Sequence, residues 1–195
     1  EAAGITFLGP GPQAIRSMGD KVAARNIALN AGVPLVPGLQ EDIDEDGLVA
    51  GAKKLGYPVM LKAASGGGGK GIRIVTEESG LLEAFRMARA EAKGAFADDR
   101  VYLEKFVEEP RHVEIQIMAD KHGNVVHYGE RECSVQRRHQ KVLEEAPPPN
   151  LASATRDALC EAALRAARAV DYHGLGTVEF LVFGEEFNFL EVNPR

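Results

Sequence analysis

The chain has 195 residues, 45% hydrophobic and 27% charged, a composition that builds a core without disulfide staples and excludes a disordered, collagenous or coiled-coil polypeptide. The net charge of −6 argues against a general nucleic-acid footprint; no apolar run approaches the ~18–20 residues of a membrane span, and no charged-then-apolar signal segment opens the chain. Two cysteines outside any CxxC pattern, Cys133 and Cys160, exclude a disulfide scaffold or thiolate zinc site and fit a reducing compartment.

Residues 5–8 are a short apolar strand candidate running into Gly-Pro-Gly-Pro at 9–12. Asp20 can cap a helix reaching about Ala31, with Gly32 as its stop. Pro34 and Pro37 mark a linker and a boundary. A second helix is predicted over Glu45–Leu55, ended by Gly56. A strand over 57–64 then enters Ser65-Gly-Gly-Gly-Gly-Lys-Gly71, and a strand at Ile72–Val75 leaves it. The helix predicted over about 77–93 carries Leu81, Leu82, Phe85, Ala88 and Ala92 on one face. After a strand at 101–107, residues 111–120 alternate Val113, Ile115, Ile117 and Ala119 against His112, Glu114, Gln116 and Met118. Residues 121–124 form a hairpin turn into a strand ending near Val135, residues 136–141 a polar loop, 147–149 a Pro-rich stretch and 153–170 an Ala-rich helix. Two last strands, 176–183 and 187–193, are joined by Gly-Glu-Glu at 184–186. Hairpin-linked strands among the helices predict an α+β class rather than a doubly wound parallel sheet. The chain starts at Glu1 and stops at Arg195 directly after a strand-like run, so an excised segment of a longer polypeptide is expected.

Glycine is in excess, 21 of 195 residues or about 11% against a usual ~7%, and much of it sits in one loop. Four consecutive glycines leave backbone N–H groups unobstructed, so the loop can close over phosphate oxygens, with Lys62 and Lys70 adding positive charge. Gly66, Gly68 and Gly71 satisfy GxGxxG, but a dinucleotide fold needs a helix next, and a Walker A loop needs Ser or Thr where Gly71 stands. Strand–glycine loop–strand is instead the form of a flap over ATP phosphates; an ordinary surface turn is the bland alternative.

In the last hairpin, pairing Phe183 with Phe187 brings Glu179 opposite Glu191, Cβ atoms roughly 5 Å apart. Facing carboxylates destabilise a sheet unless a divalent cation lies between them. Asn193 and Arg195 share the face of Glu191, and two carboxylates with an amide oxygen are hard donors suited to Mg²⁺ held jointly with phosphates. A solvated strand face is the alternative, against which the flanking Val178, Phe180, Leu190 and Val192 suggest burial on the other side. A register slip of one residue dissolves the pairing. The basic run Gln136-Arg-Arg-His-Gln-Lys141 is an anion clamp beside that site or an exposed charged loop; it lacks the aromatic interleaving of a nucleic-acid site. His122, His127 and His173 stand alone and read as structural or solvated, and Glu114 falls opposite Arg131 as a cross-strand ion pair.

With these pieces in place the chain resembles the ATP-grasp core of biotin carboxylase. The resemblance is carried by Tyr57-Pro-Val-Met-Leu-Lys62, Ser65-Gly-Gly-Gly-Gly-Lys-Gly-Ile72, Glu104-Lys-Phe-Val107, Pro110-Arg-His-Val-Glu-Ile-Gln116, Glu130-Arg-Glu-Cys-Ser-Val-Gln-Arg-Arg-His-Gln-Lys141, Glu144-Glu-Ala-Pro147, Gly176-Thr-Val-Glu-Phe180 and Phe189-Leu-Glu-Val-Asn-Pro-Arg195, spanning nearly the whole chain in order. Residues 131–141 are specific to that family, whereas the glycine loop is shared among ATP-grasp ligases.

The resemblance implies a two-lobed α+β grip on ATP: an entry segment over 1–33, a lid over 34–106 and an incomplete central lobe over 107–195. Carried over residue by residue, it implies that Lys62, Gly68 and Gly69 hold ATP phosphates, assisted by Lys21, and that Glu104, Lys105 and Val107 frame the adenine. His112, Gln136 and His139 contact the nucleotide, Glu179 and Glu191 bind Mg²⁺ (or Mn²⁺) with Asn193 nearby, and Lys141 and Arg195 hold bicarbonate. The implied chemistry is bicarbonate attack on the ATP γ-phosphate, giving carboxyphosphate that delivers CO₂ to biotin N1 on a carrier domain. A carboxyltransferase component, a homo-oligomeric parent and a cytoplasmic or mitochondrial-matrix setting go with it, without nucleic acid or membrane. The family's Gln-Val-Glu-His run beyond the arginine matching Arg195, whose glutamate is the base for bicarbonate, and a further arginine are missing, so little carboxylation is expected of this chain alone. The alternatives are another ATP-grasp ligase, such as a carbamoyl-phosphate or amino-acid ligase, against which residues 131–141 argue, and a nucleotide-binding module without turnover.

Overall fold

A computed structural model describes residues 4–39, 44–65, 71–137 and 140–195. Among these residues there are five α-helices and nine strands, and the strands form two antiparallel sheets, each with its own apolar core. Among the described residues no helix is long and apolar enough to cross a membrane.

Before the first sheet come α1 (Pro12–Gly19) and α2 (Lys21–Asn30). The strand expected at 5–8 is absent: its apolar residues find no partner strand, and Ile5, Phe7 and Leu8 lie exposed. Helix α1, not anticipated, starts where Pro12 fixes φ at the first helical turn and costs no needed N–H. Asp20 caps α2 as expected, its carboxylate accepting from Ala23 N at 3.0 Å. The linker then runs between the two sheets. Pro34 O accepts from Phe189 N at 2.7 Å on one side, and Pro37 O accepts from Lys105 N at 2.8 Å on the other.

The four-stranded sheet has the order β1-β4-β2-β3, from β1 (Gly38–Leu39), β2 (Val59–Ala63), β3 (Ile72–Val75) and β4 (Val101–Lys105). Helices α3 (Glu45–Leu55) and α4 (Leu81–Phe96) cover one face and bury Leu48, Ala52, Leu81, Phe85 and Ala88 against Leu61 and Leu103. The stop at Gly56 worked as read, with φ +74° at the end of α3, and the helix start is capped by Asp44, which went unread and accepts from Gly47 N. Gly71, where β3 begins, has φ +70°, and an added Cβ would stand 2.8 Å from Ala63 Cβ. Residues 66–70, which hold the rest of the glycine loop with Gly68 and Gly69, lie outside the described residues, as does His139.

The five-stranded sheet has the order β7-β6-β5-β8-β9, from β5 (Arg111–Ala119), β6 (Val125–Arg137), β7 (Gln140–Glu145), β8 (Gly174–Phe183) and β9 (Glu186–Pro194). Val113, Ile115 and Ile117 of β5 are fully buried against α5 (Ser153–Arg168), with Ala14, Met18, Ala24 and Ala28 of α1 and α2 in the same core. The described ends of the supposed polar loop at 136–141 are strand: Gln136 pairs with Lys141 and Arg137 with Gln140. Polar side chains conceal this hairpin from a hydrophobicity pattern.

In the last hairpin Glu179 does pair with Glu191, but by another route than expected. The turn is shorter, with Phe183 opposite Glu186, and a register shift between Glu179 and Phe180 leaves Leu190 as the extra residue. Two departures of one residue cancel at the glutamates. The bulge also turns Leu190 toward the space between the sheets, not onto the buried side expected for it, while Val178, Phe180 and Val192 are buried as read.

Candidate active site

Between the sheets opens a cleft of about 650 Å³. Met60 and Ile72 line it from the four-stranded sheet, Leu181 and Leu190 from the five-stranded one, and Phe106 and Val107 where the chain passes between them. A slot with these apolar walls suits a flat heterocycle, and its charged residues suit an ionic tail. Lys21, Lys62, Glu104, Lys105, Val107, His112, Gln136, Lys141, Glu179, Glu191, Asn193 and Arg195 all border it. Every described residue expected at the site is therefore brought to one cavity.

On the five-stranded sheet the charges form a continuous network. Glu179, with only 3% of its side chain exposed, accepts from Lys141 Nζ at 2.7 Å and Asn193 Nδ2 at 2.5 Å, and its second oxygen meets His112 Nε2. Gln136 Nε2 donates to His112 Nδ1 at 2.7 Å and to Cys133 O at 2.8 Å, which leaves the His112 Nε2 proton for Glu179. Burial pushes the Glu179 carboxyl up, but the hydrogen bonds from His112 and Lys141 and the charge of Lys141 outweigh it and bring the pKa to about 2. Burial opposes the charge on Lys141, and its contacts with Glu114 and Glu179 overcome that and raise its pKa. Glu191, on the facing strand, pairs with Lys21 Nζ at 3.0 Å.

Glu114 goes beyond the simple cross-strand pair expected of it. Arg131 holds one oxygen as anticipated, but Lys141 holds the other, so Lys141 links two buried carboxylates. Pairing arithmetic revealed the first contact; the second needed β7, whose existence the sequence concealed. Glu114 also lies with Cys133 and Glu144 in the one group of three candidate metal-binding side chains among the described residues. That group is poorly suited to an ion, since Arg131 and Lys141 already answer the Glu114 charge and burial pushes the Cys133 thiol up to about 12. The facing Glu179 and Glu191 with the Asn193 amide are a better hard-oxygen donor set, and they border the cleft.

On the four-stranded sheet Lys62 Nζ lies 2.5 Å from the Glu104 carboxylate, whose other oxygen binds Arg25. The Lys105 ammonium is occupied elsewhere, donating to Gly56 O at 2.8 Å and Tyr57 O at 3.1 Å. Its contribution to the cleft is therefore backbone and stem, not charge. Arg25 went unread in the sequence; its one signal is its place one turn after Lys21.

Comparison with known proteins bears on this cleft directly. The family model "Carbamoyl-phosphate synthase L chain, ATP binding domain" matches residues 20–195. The propionyl-CoA carboxylase alpha chain of Ruegeria pomeroyi is 52% identical over 199 residues, covering 100% of this chain and 29% of its own length. A crystal structure of a biotin carboxylase–β,γ-ATP complex from Campylobacter jejuni superposes with a TM-score of 0.95 at 45% identity, over 100% of this chain and 44% of that one. The biotin carboxylase domain of Hydrogenobacter thermophilus 2-oxoglutarate carboxylase, determined with MgADP, ADP and bicarbonate, gives 0.93 at 42% identity, over 100% and 43%. The chain thus spans less than half the length of these relatives. It belongs to the family of the carbamoyl-phosphate synthase L chain ATP-binding domain and has the ATP-grasp fold of biotin carboxylases.

Proposed function

We propose that this chain is the ATP-grasp core of a biotin carboxylase, using ATP and bicarbonate to carboxylate biotin on a carrier domain within an acyl-CoA, pyruvate or similar carboxylase. The observation that carries the reading is Glu179 opposite Glu191 at the wall of a cleft that also holds Lys21, Lys62, Lys141 and Arg195. Residues 34–106 serve as the lid and 107–195 as the central lobe, with the entry helices packed into the core of the latter.

In this reading the apolar walls take the adenine beside Glu104, Lys105 and Val107, and Lys21 and Lys62 hold phosphate oxygens together with Gly68 and Gly69. His112, Gln136 and His139 contact the nucleotide. Glu179, Glu191 and Asn193 hold Mg²⁺ (or Mn²⁺), which neutralises phosphate charge as the γ-phosphoryl group leaves. Lys141 and Arg195 place bicarbonate for attack on the γ-phosphate, giving carboxyphosphate and ADP. Phosphoryl transfer asks for positioning and charge more than covalent work, and that is what these side chains offer. Excluding water from the cleft protects the labile intermediate. A carboxyltransferase component completes the parent's reaction, and the parent is a homo-oligomer of the cytoplasm or an organelle matrix.

Calorimetric titration of this chain with Mg·ATP tests the binding half, and Glu191→Gln should weaken it by roughly tenfold or more. Phosphate release by the full-length parent should require bicarbonate and rise with biotin; release indifferent to biotin would end the biotin reading. This chain alone should show little or no carboxylation.

A further inference from the structure

Helix α2 carries a full positive charge that the phosphate-binding reading does not use. Arg25 is 2% exposed, with its guanidinium 5.7 Å from the Tyr102 ring centroid. One nitrogen donates to Val36 O at 2.7 Å and the other to Glu104, whose remaining oxygen takes Lys62 Nζ at 2.5 Å. A single buried carboxylate is thus divided between two cations, one oxygen each. Of the two, Lys62 borders the cleft and Arg25 does not.

The charge balance gives this division a consequence. Lys62 and Glu104 alone would be a neutral pair, and the carboxylate would compensate the ammonium offered to a phosphate. With Arg25 in place the three groups sum to one positive charge, almost wholly withdrawn from solvent, with Lys62 and Glu104 at the cleft and Arg25 behind them. One turn earlier on the same face of α2, Lys21 grips Glu191 of β9 at 3.0 Å. The helix therefore holds one acid from each sheet with two cations spaced i and i+4.

We infer that Arg25 is a positioning residue: by occupying one oxygen of Glu104 it keeps the Lys62 ammonium undercompensated and aimed at nucleotide phosphate. The inference rests on the reading of the cleft as an ATP site. Wild type, Arg25→Met, Arg25→Lys, Lys62→Gln and the Arg25→Met/Lys62→Gln double variant are titrated with Mg·ATP by calorimetry and with adenosine by ligand-observed NMR, with thermal unfolding measured in parallel. Arg25→Met should weaken Mg·ATP about tenfold while adenosine changes less than about twofold, a coupling within the range for residues that share one ion-pair network. Arg25→Lys should recover most of the loss, and in the Lys62→Gln background Arg25→Met should add none. Equal weakening of both ligands, or a loss that persists without Lys62, marks a merely structural role and overturns the inference. Should Arg25→Met not fold, Arg25→Lys decides alone: a loss of about two- to threefold confined to Mg·ATP supports it, and no loss or an equal loss overturns it. Wild type that fails to bind Mg·ATP overturns the ATP reading and the inference together, whereas normal wild-type binding with indifferent Arg25 variants overturns the inference alone.

Discussion

The four-stranded sheet and its helices keep most of their ion pairs at the rim, whereas the five-stranded sheet buries Glu114 and Glu179 on its cleft face. Lys53–Glu78, Arg73–Glu91, Arg86–Glu45 and Arg89–Asp99 all have both side chains a third or more exposed, and such pairs contribute little to stability. Glu114 and Glu179 have 1% and 3% of their side chains exposed and depend on every cation that reaches them. Apolar residues in those positions would serve folding as well or better. Carboxylates held under such conditions mark the sheet face that lines the cleft, while the other face of the same sheet is filled by Val113, Ile115 and Ile117. The four-stranded sheet has a single exception, Glu104, and it too borders the cleft.

The sharpest way to break this contrast is to remove the cation shared by two buried acids. Lys141→Met leaves Glu114 with Arg131 alone and Glu179 with His112 and Asn193. We expect a loss of about 3–5 kcal/mol in urea unfolding, partly recovered when Glu114→Gln is added, because the second change withdraws an uncompensated charge. A loss no larger than that of a rim pair would show the network to be solvated and the contrast false.

What the sequence made legible divides along the same line. Helix α3 and strand β3 matched their predicted bounds, because Gly56 and the glycine run punctuate the chain locally. The core face of β5 followed from strict alternation. The glutamate pair was legible because hairpin register is simple arithmetic, yet the bulge at Leu190 was not, since no periodicity marks a residue that has been added without a partner. Strand β7 was hidden because all six of its side chains are at least partly exposed and most are polar. With β7 hidden, the placement of Lys141 on Glu114 and Glu179 was hidden too. The buried role of Arg25 lay beyond local reading because its partner Glu104 is 79 residues away. Pro12, by contrast, was a readable helix start that the apolar run at 5–8 drew attention from.

A smaller effect sharpens the comparison through pH. Glu179 titrates at about 2 in the folded chain against an ordinary 4.5, so its contribution to stability is fully present above pH 4.5 and is lost as pH falls toward 2. The contribution is on the order of 3 kcal/mol. In metal-free buffer the wild type should lose stability through that window more steeply than Glu179→Gln, which has no proton to take up. Parallel acid limbs for the two proteins would show that His112 and Lys141 do not hold the carboxylate as their contacts imply.

The smallest expected effect is the necessary counterpart. Arg86 grips Glu45 with two nitrogens, each 2.8 Å from an oxygen, a geometry as good as any in the buried network. Their side chains are 65% and 43% exposed, however, so water and salt already satisfy both charges when the pair opens. Arg86→Ala should leave the urea midpoint unchanged at 0.15 M salt (the ionic strength at which the Debye length is about 8 Å). A clear shift would mean that the rim of the four-stranded sheet is as dependent on its ion pairs as the cleft face is. Burial, rather than the quality of the hydrogen bonds, would then no longer be what separates the two sheets.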